Sequence, residues 1–449
     1  MANLEKLHYK RVQSNPANLS QGYSGDVRFE LKTQKNEFIK ALRESYFTIT
    51  FELPVALKRF NATDIDFAIN NMGFVNNPVA SLIDHASFTI NGKGPQDITN
   101  WRQFISLYKI LNSTTDDELK SQSPLLLYPG KYSTSGAGGQ GPRFKSNGET
   151  PGYITTNFIT AYNKATDIIN SKIIVNNDLN STFSTYENNP ANIPIGSICE
   201  IAFPLSVFDT IENEDEFLGG DLDIVVNFKL SSLISTTLLF GTAIASYPIT
   251  IKTMYWYIPI YESMPLKNIS IKREYYNSLC EIRDHNGGSI FDIGTSNNIR
   301  RIAVCVMKKP TQNIQANIPT MDGLSNLKNI RISYNNKIYP EYPYNLDRTD
   351  TNAWSAAYKD YLLHTNSNNS GMLPLIKDFA TYLSTPVFVF NTYEKIDNIH
   401  STTLSVNLER TSTGNITDLY ICVYLESVSE IEMYYNNEGY MHKIEHINK

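Results

Sequence analysis

The sequence has few charges and no long apolar run, and each shortage argues against a class of protein. Charged residues make up 19% of the 449 residues and apolar residues 41%, so the chain has too little charge for a disordered protein and enough apolar content for a core. No stretch of about 18 uninterrupted apolar residues occurs, which argues against a membrane-spanning helix. The nearest candidate, Leu233 to Ile251, is broken by Ser, Thr, Gly and Pro and favours strands and turns.

Cysteine is also scarce, and no two of the four cysteines are close enough to form a CxxC motif. A disulfide framework would need more cysteines in a smaller chain. The segments around Cys305 and Cys422 are apolar, so we predict that both are buried in strands as small hydrophobic residues. Met1 to Lys6 lack the apolar segment of a signal peptide. We therefore expect a reducing compartment.

Basic charge and metal-ligand spacing are missing as well. The net charge is −6, which argues against a basic nucleic-acid-binding domain. The seven histidines show no HxH or HExxH spacing. His442 and His446 are four residues apart, but without a third ligand they indicate a solvated tail. We assign no metal-binding, cofactor-binding or catalytic residue.

The residues that are abundant favour β structure. Asparagine makes up roughly one residue in ten, and there are 28 Tyr and 21 Phe, a composition typical of strands and turns. Tyr46–Pro54 and Ala86–Lys93 alternate apolar and polar residues with a period of two. In the second segment, Asn91-Gly92 is a strong hairpin signal. Helical patterns are sparse and occur near Asp64 to Asn71, Trp101 to Leu111 and Trp354 to Leu363.

Two segments lack a strand pattern. Residues 1–25 are polar, with Lys6, Lys10 and Arg11, and are predicted to form an N-terminal arm or loosely held terminus. Tyr128 to Tyr153 is rich in Gly and Ser and poor in apolar residues. Because its glycines do not match GxxxxGK[ST], a surface loop is favoured over a phosphate-binding loop.

Four sequence features recur in the same order and indicate an internal duplication. Ser87–Lys93 resembles Arg331–Lys337, and each is followed by a Trp and a Tyr seven residues apart. The later features are Val226-Asn-Phe-Lys against Val406-Asn-Leu-Glu, and an aromatic strand at Met254 against one at Leu419. The first copy carries about 70 extra residues. This pattern predicts two tandem antiparallel β sandwiches that join near Tyr261 to Arg273.

The chain resembles the double jelly-roll major capsid proteins of the polinton, adintovirus, polinton-like virus and virophage group of double-stranded DNA viruses. The resemblance spans roughly residues 30 to 430 through short motifs. Four segments carry it: Ala80–Gly92, Ile251–Ile260, Arg300–Met307 and, most specifically, Leu327–Tyr344 with its Tyr-Pro pairs before an aromatic helix.

The resemblance implies an all-β fold of two tandem jelly rolls with a few short helices. We expect an arm at 1–25, a first jelly roll at 26–262 with an insertion at about 113–198, and a second jelly roll with a C-terminal tail at 263–449. It further implies a non-enzymatic shell subunit that forms pseudo-hexagonal homotrimers in an icosahedral virion. Expected partners are neighbouring capsomers, a pentameric minor capsid protein and, through weak contacts of the arm, the genome or an inner membrane. The Gly/Ser loop and Asn180 to Pro194 would be tower or inter-subunit elements.

Two other classes of protein remain open at the level of sequence. A glycan-cleaving enzyme needs paired carboxylates on one face. The candidates are Asp221 with Asp223, which are two apart on a predicted strand and would share one face, and the acidic cluster Asp209, Glu212, Glu214, Asp215 and Glu216. A carbohydrate-binding protein would stack sugars on tyrosines, and the candidates are Tyr275-Tyr276 and Tyr434-Tyr435. For the acidic cluster a solvated loop is favoured, whereas a subunit interface explains the tyrosines equally well.

Overall fold

The structure is a computed structural model of the 449-residue chain. It describes residues 6–17, 19, 23–40, 42–52, 82–112, 173–175, 198–204, 217–219, 221–232, 250–262, 267–285, 290–294, 299–309, 319, 324, 326–347, 353–365, 376, 379–392, 403–410, 419–438 and 441–448.

Strands dominate the described residues. Those before residue 265 are β1 (Lys6–Gln13), β2 (Asp26–Lys32), β3 (Glu37–Lys40), β4 (Tyr46–Glu52), β5 (Ile83–Ile90), β6 (Lys93–Ile98), β7 (Ile173–Val175), β8 (Ile198–Pro204), β9 (Phe217–Gly219), β10 (Asp223–Leu230) and β11 (Thr250–Glu262). Those after it are β12 (Ser270–Asp284), β13 (Ile290–Gly294), β14 (Ile299–Lys308), β15 (Leu327–Tyr334), β16 (Lys337–Tyr339), β17 (Phe388–Asn391), β18 (Thr403–Arg410), β19 (Leu419–Tyr435) and β20 (Met441–Asn448).

The helices in the described part of the chain are short. They are a 3-10 turn at Leu42–Glu44, α1 (Trp101–Leu111), α2 (Ser355–His364) and α3 (Phe379–Ser384). The predicted helices at Trp101 to Leu111 and at Trp354 to Leu363 are confirmed as α1 and α2. The segment Asp64 to Asn71 lies outside the described residues.

The strands form four antiparallel sheets, two from each half of the chain. The first sheet has the order β7-β8-β4-β11-β3-β9, with β1 also paired to β11, and the second has the order β2-β10-β5-β6. The third sheet has the order β12-β19-β14-β17, with β20 also paired to β19, and the fourth has the order β13-β18-β15-β16. This arrangement confirms the predicted all-β fold of two tandem jelly rolls.

Alternating side chains build the core between the sheets. Along β2, Val27, Phe29 and Leu31 are completely buried while the residues between them are exposed, as expected for a strand with one face on the core. Phe29 and Phe47 meet edge to face from facing sheets, with ring centroids 5.0 Å apart. The apolar period of two seen in the sequence therefore corresponds to the real faces of the sheets.

The register of the strands confirms the internal duplication. Asn227 of β10 pairs with Ser87 of β5, and Asn407 of β18 pairs with Arg331 of β15. These are the same pairs that the two sequence repeats align. The order β2, β4, β5, β6, α1, β8, β10, β11 in the first half recurs as β13, β14, β15, β16, α2, β17, β18, β19 in the second.

Both repeats make the same tight turn. Asn91 and Gly92 have φ values of 49° and 71°, and Asn335 and Asn336 have φ values of 52° and 61°. Positive φ at both central residues is the geometry of the type I′ hairpin, which favours Asn and Gly. The Asn91 side chain also accepts a hydrogen bond of 2.7 Å from the Asp223 backbone N–H.

We expect Gly92→Ala to lower the free energy of unfolding by about 1 kcal/mol, because an L side chain strains the left-handed backbone. Open space surrounds the position, so a steric clash would not contribute. Gly294→Ala is the matched control, since that site is also open and has no positive φ. Chemical denaturation of both variants tests this, and equal losses would contradict the turn argument.

Two predictions about the chain termini are wrong. Lys6–Gln13 does not form a loose arm, because all eight residues pair with β11 from Glu262 back to Tyr255. Met441–Asn448 does not form a solvated tail, because it pairs with β19 as β20. In both places the other neighbours leave part of an edge of the partner strand open, and the terminal strand satisfies the backbone groups there.

Several expected loops cannot be compared with the structure. Tyr128 to Tyr153 and Asn180 to Pro194 lie outside the described residues, as does most of the predicted insertion at 113–198. The chain passes from the last strand of the first sheet to the first strand of the third sheet between Glu262 and Ser270.

Candidate assembly site

Helix α1 lies between the two halves of the chain and is buried on all sides. Trp101, Phe104, Tyr108 and Leu111 each expose 2% or less of their surface. The helix packs on β5 of its own half and on β12 and β19 of the other half. A helix that buries apolar side chains all round needs a partner on each face. The other half supplies the second partner, and the ring of Phe104 stacks on that of Tyr424 at 5.8 Å.

Side-chain amides fasten the edge of the first half to the edge strand of the second. Asn100 Nδ2 donates to the Cys280 carbonyl at 2.7 Å, and Gln96 Nε2 donates to the Ser278 carbonyl at 3.3 Å. Both acceptors belong to β12, which pairs with β19 on its other side. The amides therefore satisfy carbonyl groups that a sheet edge otherwise leaves open. We call these contacts, together with α1, the seam.

A buried ion pair lies at the C-terminal end of α1. Arg301 Nη2 approaches Glu426 Oε2 at 2.5 Å, and the two side chains are 4% and 2% exposed. Arg300 Nε donates to the other oxygen of Glu426 at 2.7 Å. Arg301 also donates to the Asn112 side chain at 3.0 Å and to the His364 carbonyl at 3.1 Å. One guanidinium thus joins the first half, the second half and the end of α2.

The second repeat contributes its own helix to this region. The Tyr361 hydroxyl of α2 donates to the Ile110 carbonyl of α1 at 3.0 Å and accepts from the Ile376 backbone N–H at 3.3 Å. Burial raises the pKa of the Tyr361 hydroxyl, so it remains a neutral donor. It satisfies a carbonyl in the last turn of α1, where no intrahelical partner exists.

A tyrosine-rich surface covers the outside of the first sheet. The rings of Tyr46 and Tyr257 stack with centroids 5.0 Å apart. The Tyr9 ring lies 6.4 Å from that of Tyr46, and the Tyr255 ring lies 6.4 Å from that of Tyr257. Tyr9 is 52% exposed and the other three are partly exposed. The Arg11 guanidinium lies 4.8 Å from the Tyr255 ring centroid, a cation–π contact. We call Tyr9, Tyr46, Tyr255 and Tyr257 the tyrosine face.

The described residues include only part of the set considered for glycan chemistry. Asp221 lies in a left-handed bend (φ 55°) before β10, whereas Asp223 is within the strand, so the expectation that both lie on one strand is wrong. Tyr435 is buried and Tyr434 is partly exposed, as neighbours on opposite faces of a strand must be. The side chains of Tyr275 and Tyr276 and the acidic cluster from Asp209 to Glu216 lie outside the description.

His442 and His446 are on β20, where residues four apart are about 13 Å from each other along the backbone. In the described ranges, no group of three or more His, Cys, Asp or Glu side chains is arranged for a metal. Nor do those ranges contain a helix long and apolar enough to cross a membrane. Cys305 and Cys422 are buried in β14 and β19, as predicted, and these two free thiols lie opposite each other in the strand register.

A histidine at the end of the second sandwich is buried beside an arginine. His285 is 1% exposed, and its Nε2 contacts the Arg410 guanidinium. Desolvation and the nearby positive charge lower its pKa from 6.5 to about 4. The imidazole therefore remains neutral in the folded protein where an unfolded chain would already bind a proton.

We predict that stability falls on acidification by on the order of 3 kcal/mol through His285 alone. Since the folded pKa is below the unfolded one, this contribution is complete above pH 6.5 and is lost as the pH falls through 4. The check is the denaturation free energy from pH 7.5 to pH 4 for the wild type and His285→Gln. Parallel profiles for the two proteins would contradict the prediction.

No protein-family model matches the chain, and no curated protein matches its sequence. Solved structures do match. A chain in the cryo-EM structure of the Sputnik virophage is 10% identical, with a TM-score of 0.61 over 99% of this chain and 88% of that one. The mavirus major capsid protein is 11% identical, with a TM-score of 0.55 over 98% and 90%. VP54 of the virus PBCV-1 is 10% identical, with a TM-score of 0.50 over 98% and 97%. The chain therefore has the double jelly-roll fold of these capsid proteins.

Proposed function

We propose that this protein is a major capsid protein that forms homotrimers and tiles an icosahedral virus shell around the genome. The observation that carries the proposal is the double jelly roll, which matches capsid proteins along 98–99% of the chain. Its place would be the virion, after assembly inside the host cell. Its role would be structural and not enzymatic, as expected from a fold shared with the mavirus major capsid protein.

The duplication supports the trimeric form of this proposal. We propose one jelly roll at 26–262, to which β1 adds an edge strand, and a second at 263–449. Three chains would then provide six similar blocks, which suits a pseudo-hexagonal capsomer built from one repeated interface. Neighbouring capsomers and a pentameric minor capsid protein would be the partners at the rim.

The contacts of the first strand limit what we propose for the N-terminus. Lys10 Nζ donates to the Lys32 carbonyl at 3.0 Å and forms an ion pair with Glu37 at 3.2 Å, while Arg11 packs on Tyr255. These two basic side chains therefore contact other residues of the first half of the chain. A contact with the genome or an inner membrane would have to rest on Met1 to Lys6.

Light scattering after size-exclusion chromatography tests the proposal directly. We expect a mass of about 150 kDa, three times the 50.8 kDa of the chain, and closed shells in electron micrographs under assembly conditions. A monomer that persists at micromolar concentration, or one that binds or cleaves a glycan, would contradict it.

A further inference from the structure

We propose that the tyrosine face of one copy binds the side of the second sandwich that carries α2 and β16 in another copy, repeating between chains the seam found within one chain. This inference rests on the proposed homotrimer and deepens it by assigning the two surfaces. It follows from a comparison of equivalent positions in the two repeats.

Equivalent backbone hydrogen bonds fix the alignment of the repeats. The Ser14 N–H donates to the Met254 carbonyl at 3.1 Å, just after β1 ends against β11. The His285 N–H donates to the Leu419 carbonyl at 3.0 Å, just after β12 ends against β19. Ser14 and His285 are therefore equivalent. Tyr9 of β1 and Cys280 of β12 each lie five residues earlier, so they occupy equivalent positions.

The same register relates the two central strands. Tyr255 corresponds to Tyr420, and Tyr257 corresponds to Cys422, because Met254 corresponds to Leu419. A cation lies over the tyrosine at this position in both halves: Arg11 over Tyr255 at 4.8 Å, and Lys309 over Tyr420 at 5.4 Å. The outer faces of the first and third sheets are thus built alike.

Burial of these equivalent positions differs sharply. Cys280 is 2% exposed and Cys422 is 0% exposed, because the seam covers the outer face of the third sheet. Tyr9 is 52% exposed and Tyr257 is partly exposed. The first sheet therefore presents to solvent the surface that the third sheet buries under the other half of the chain.

The second sandwich shows the complementary difference. Trp101 and Tyr108 of the first helix motif align with Trp354 and Tyr361 of the second. This alignment gives Ile110 of α1 the same position as Leu363 of α2. Ile110 is 0% exposed and lies in the seam, whereas Leu363 is 49% exposed. The edge strands differ in the same way, since β6 lies against β12 while Ile338 of β16 is 55% exposed.

Each of the two surfaces therefore occurs twice in a chain, once buried and once exposed. The buried pair forms the seam, and the exposed pair consists of the tyrosine face and the side of α2 and β16. Two different surfaces that recognise each other give a head-to-tail contact, which closes into a ring when the rotation allows. A second copy is the occupant that matches both unused surfaces, because it carries both. Tyrosine is enriched in such contacts since it combines apolar area with a polar tip.

Charged substitutions on the two surfaces test the assignment. We expect Tyr9→Arg and Leu363→Arg each to weaken association by about 100-fold or more and to give a mass near that of the monomer. Ile290→Arg is the matched control, because Ile290 is also exposed (60%) but lies in β13 of the fourth sheet. It should retain the wild-type mass. Circular dichroism should show the wild-type fold for all three, since the positions are exposed.

Mixing the two defective variants gives the sharper result. Tyr9→Arg retains an intact α2 side and Leu363→Arg retains an intact tyrosine face, so an equimolar mixture should form a heterodimer of about twice the chain mass of 50.8 kDa. A trimer that survives either substitution would overturn the assigned interface and leave the proposed capsid function intact. A wild-type protein that never assembles would instead contradict the proposed function.

Discussion

Arg301→Met is expected to lower the free energy of unfolding by about 3–5 kcal/mol, because it leaves the Glu426 carboxylate buried without its closest partner. Both side chains of the pair are less than 5% exposed, so water cannot replace the lost contact. The substitution also removes the donors to Asn112 and to the His364 carbonyl. Urea denaturation monitored by tryptophan fluorescence measures the loss.

Two further variants separate the buried charge from the loss of an arginine in general. Arg28→Met removes an ion pair with Glu30 whose side chains are 50% and 38% exposed, and it should change stability by no more than about 1 kcal/mol. Arg301→Met combined with Glu426→Leu removes both buried charges and should recover much of the loss. If Arg301→Met is no more harmful than Arg28→Met, the pair does not stabilise the seam.

Phe104→Ala is expected to lower stability by about 3–5 kcal/mol, the range for a large buried aromatic residue. The Phe104 ring is completely buried and stacks on Tyr108 at 5.7 Å as well as on Tyr424 of the other half. The cavity would therefore open within the seam. We expect one calorimetric transition for the wild type and two for Phe104→Ala, because the halves of the variant would no longer unfold together.

The control for the separation of the calorimetric transitions is a phenylalanine of equal burial inside one sandwich. Phe29→Ala removes a ring with 0% exposure that packs on Phe47 and Phe228 of its own half. A similar loss of stability is expected, but without a separate transition for the second half. Identical calorimetric profiles for the two variants would show that α1 does not couple the halves.

Local sequence patterns were sufficient to predict the repeated parts of the fold. Period-two strands, the Asn91-Gly92 turn and the Trp-Tyr spacing of the helices depend on neighbours in sequence, and all three appear in the structure. The alignment of Val226 with Val406 was also predictable, because a strand keeps its register when its turn is kept.

The terminal strands and the seam could not be predicted, because each depends on a partner far away in sequence. Lys6–Gln13 has a polar composition and becomes a strand through the open edge of β11. Arg301 is a charged residue in the segment Arg300–Met307, and Glu426 directly follows the apolar segment Leu419–Leu425. That contrast is a signal of a buried pair, but no local rule joins residues so far apart.

The position of the long strand pairs has a consequence for synthesis of the protein. β1 must wait for β11, and α1 must wait for β19. From Glu262 to Tyr420 the ribosome adds 420 − 262 = 158 residues, which takes roughly 10–30 s at roughly 5–20 residues per second. During that interval the first sandwich can close while the apolar outer side of α1 has no partner. Nascent chains on one messenger RNA therefore expose this side of α1 close to one another. Rapid completion of the second sandwich protects them from associating through the wrong surface.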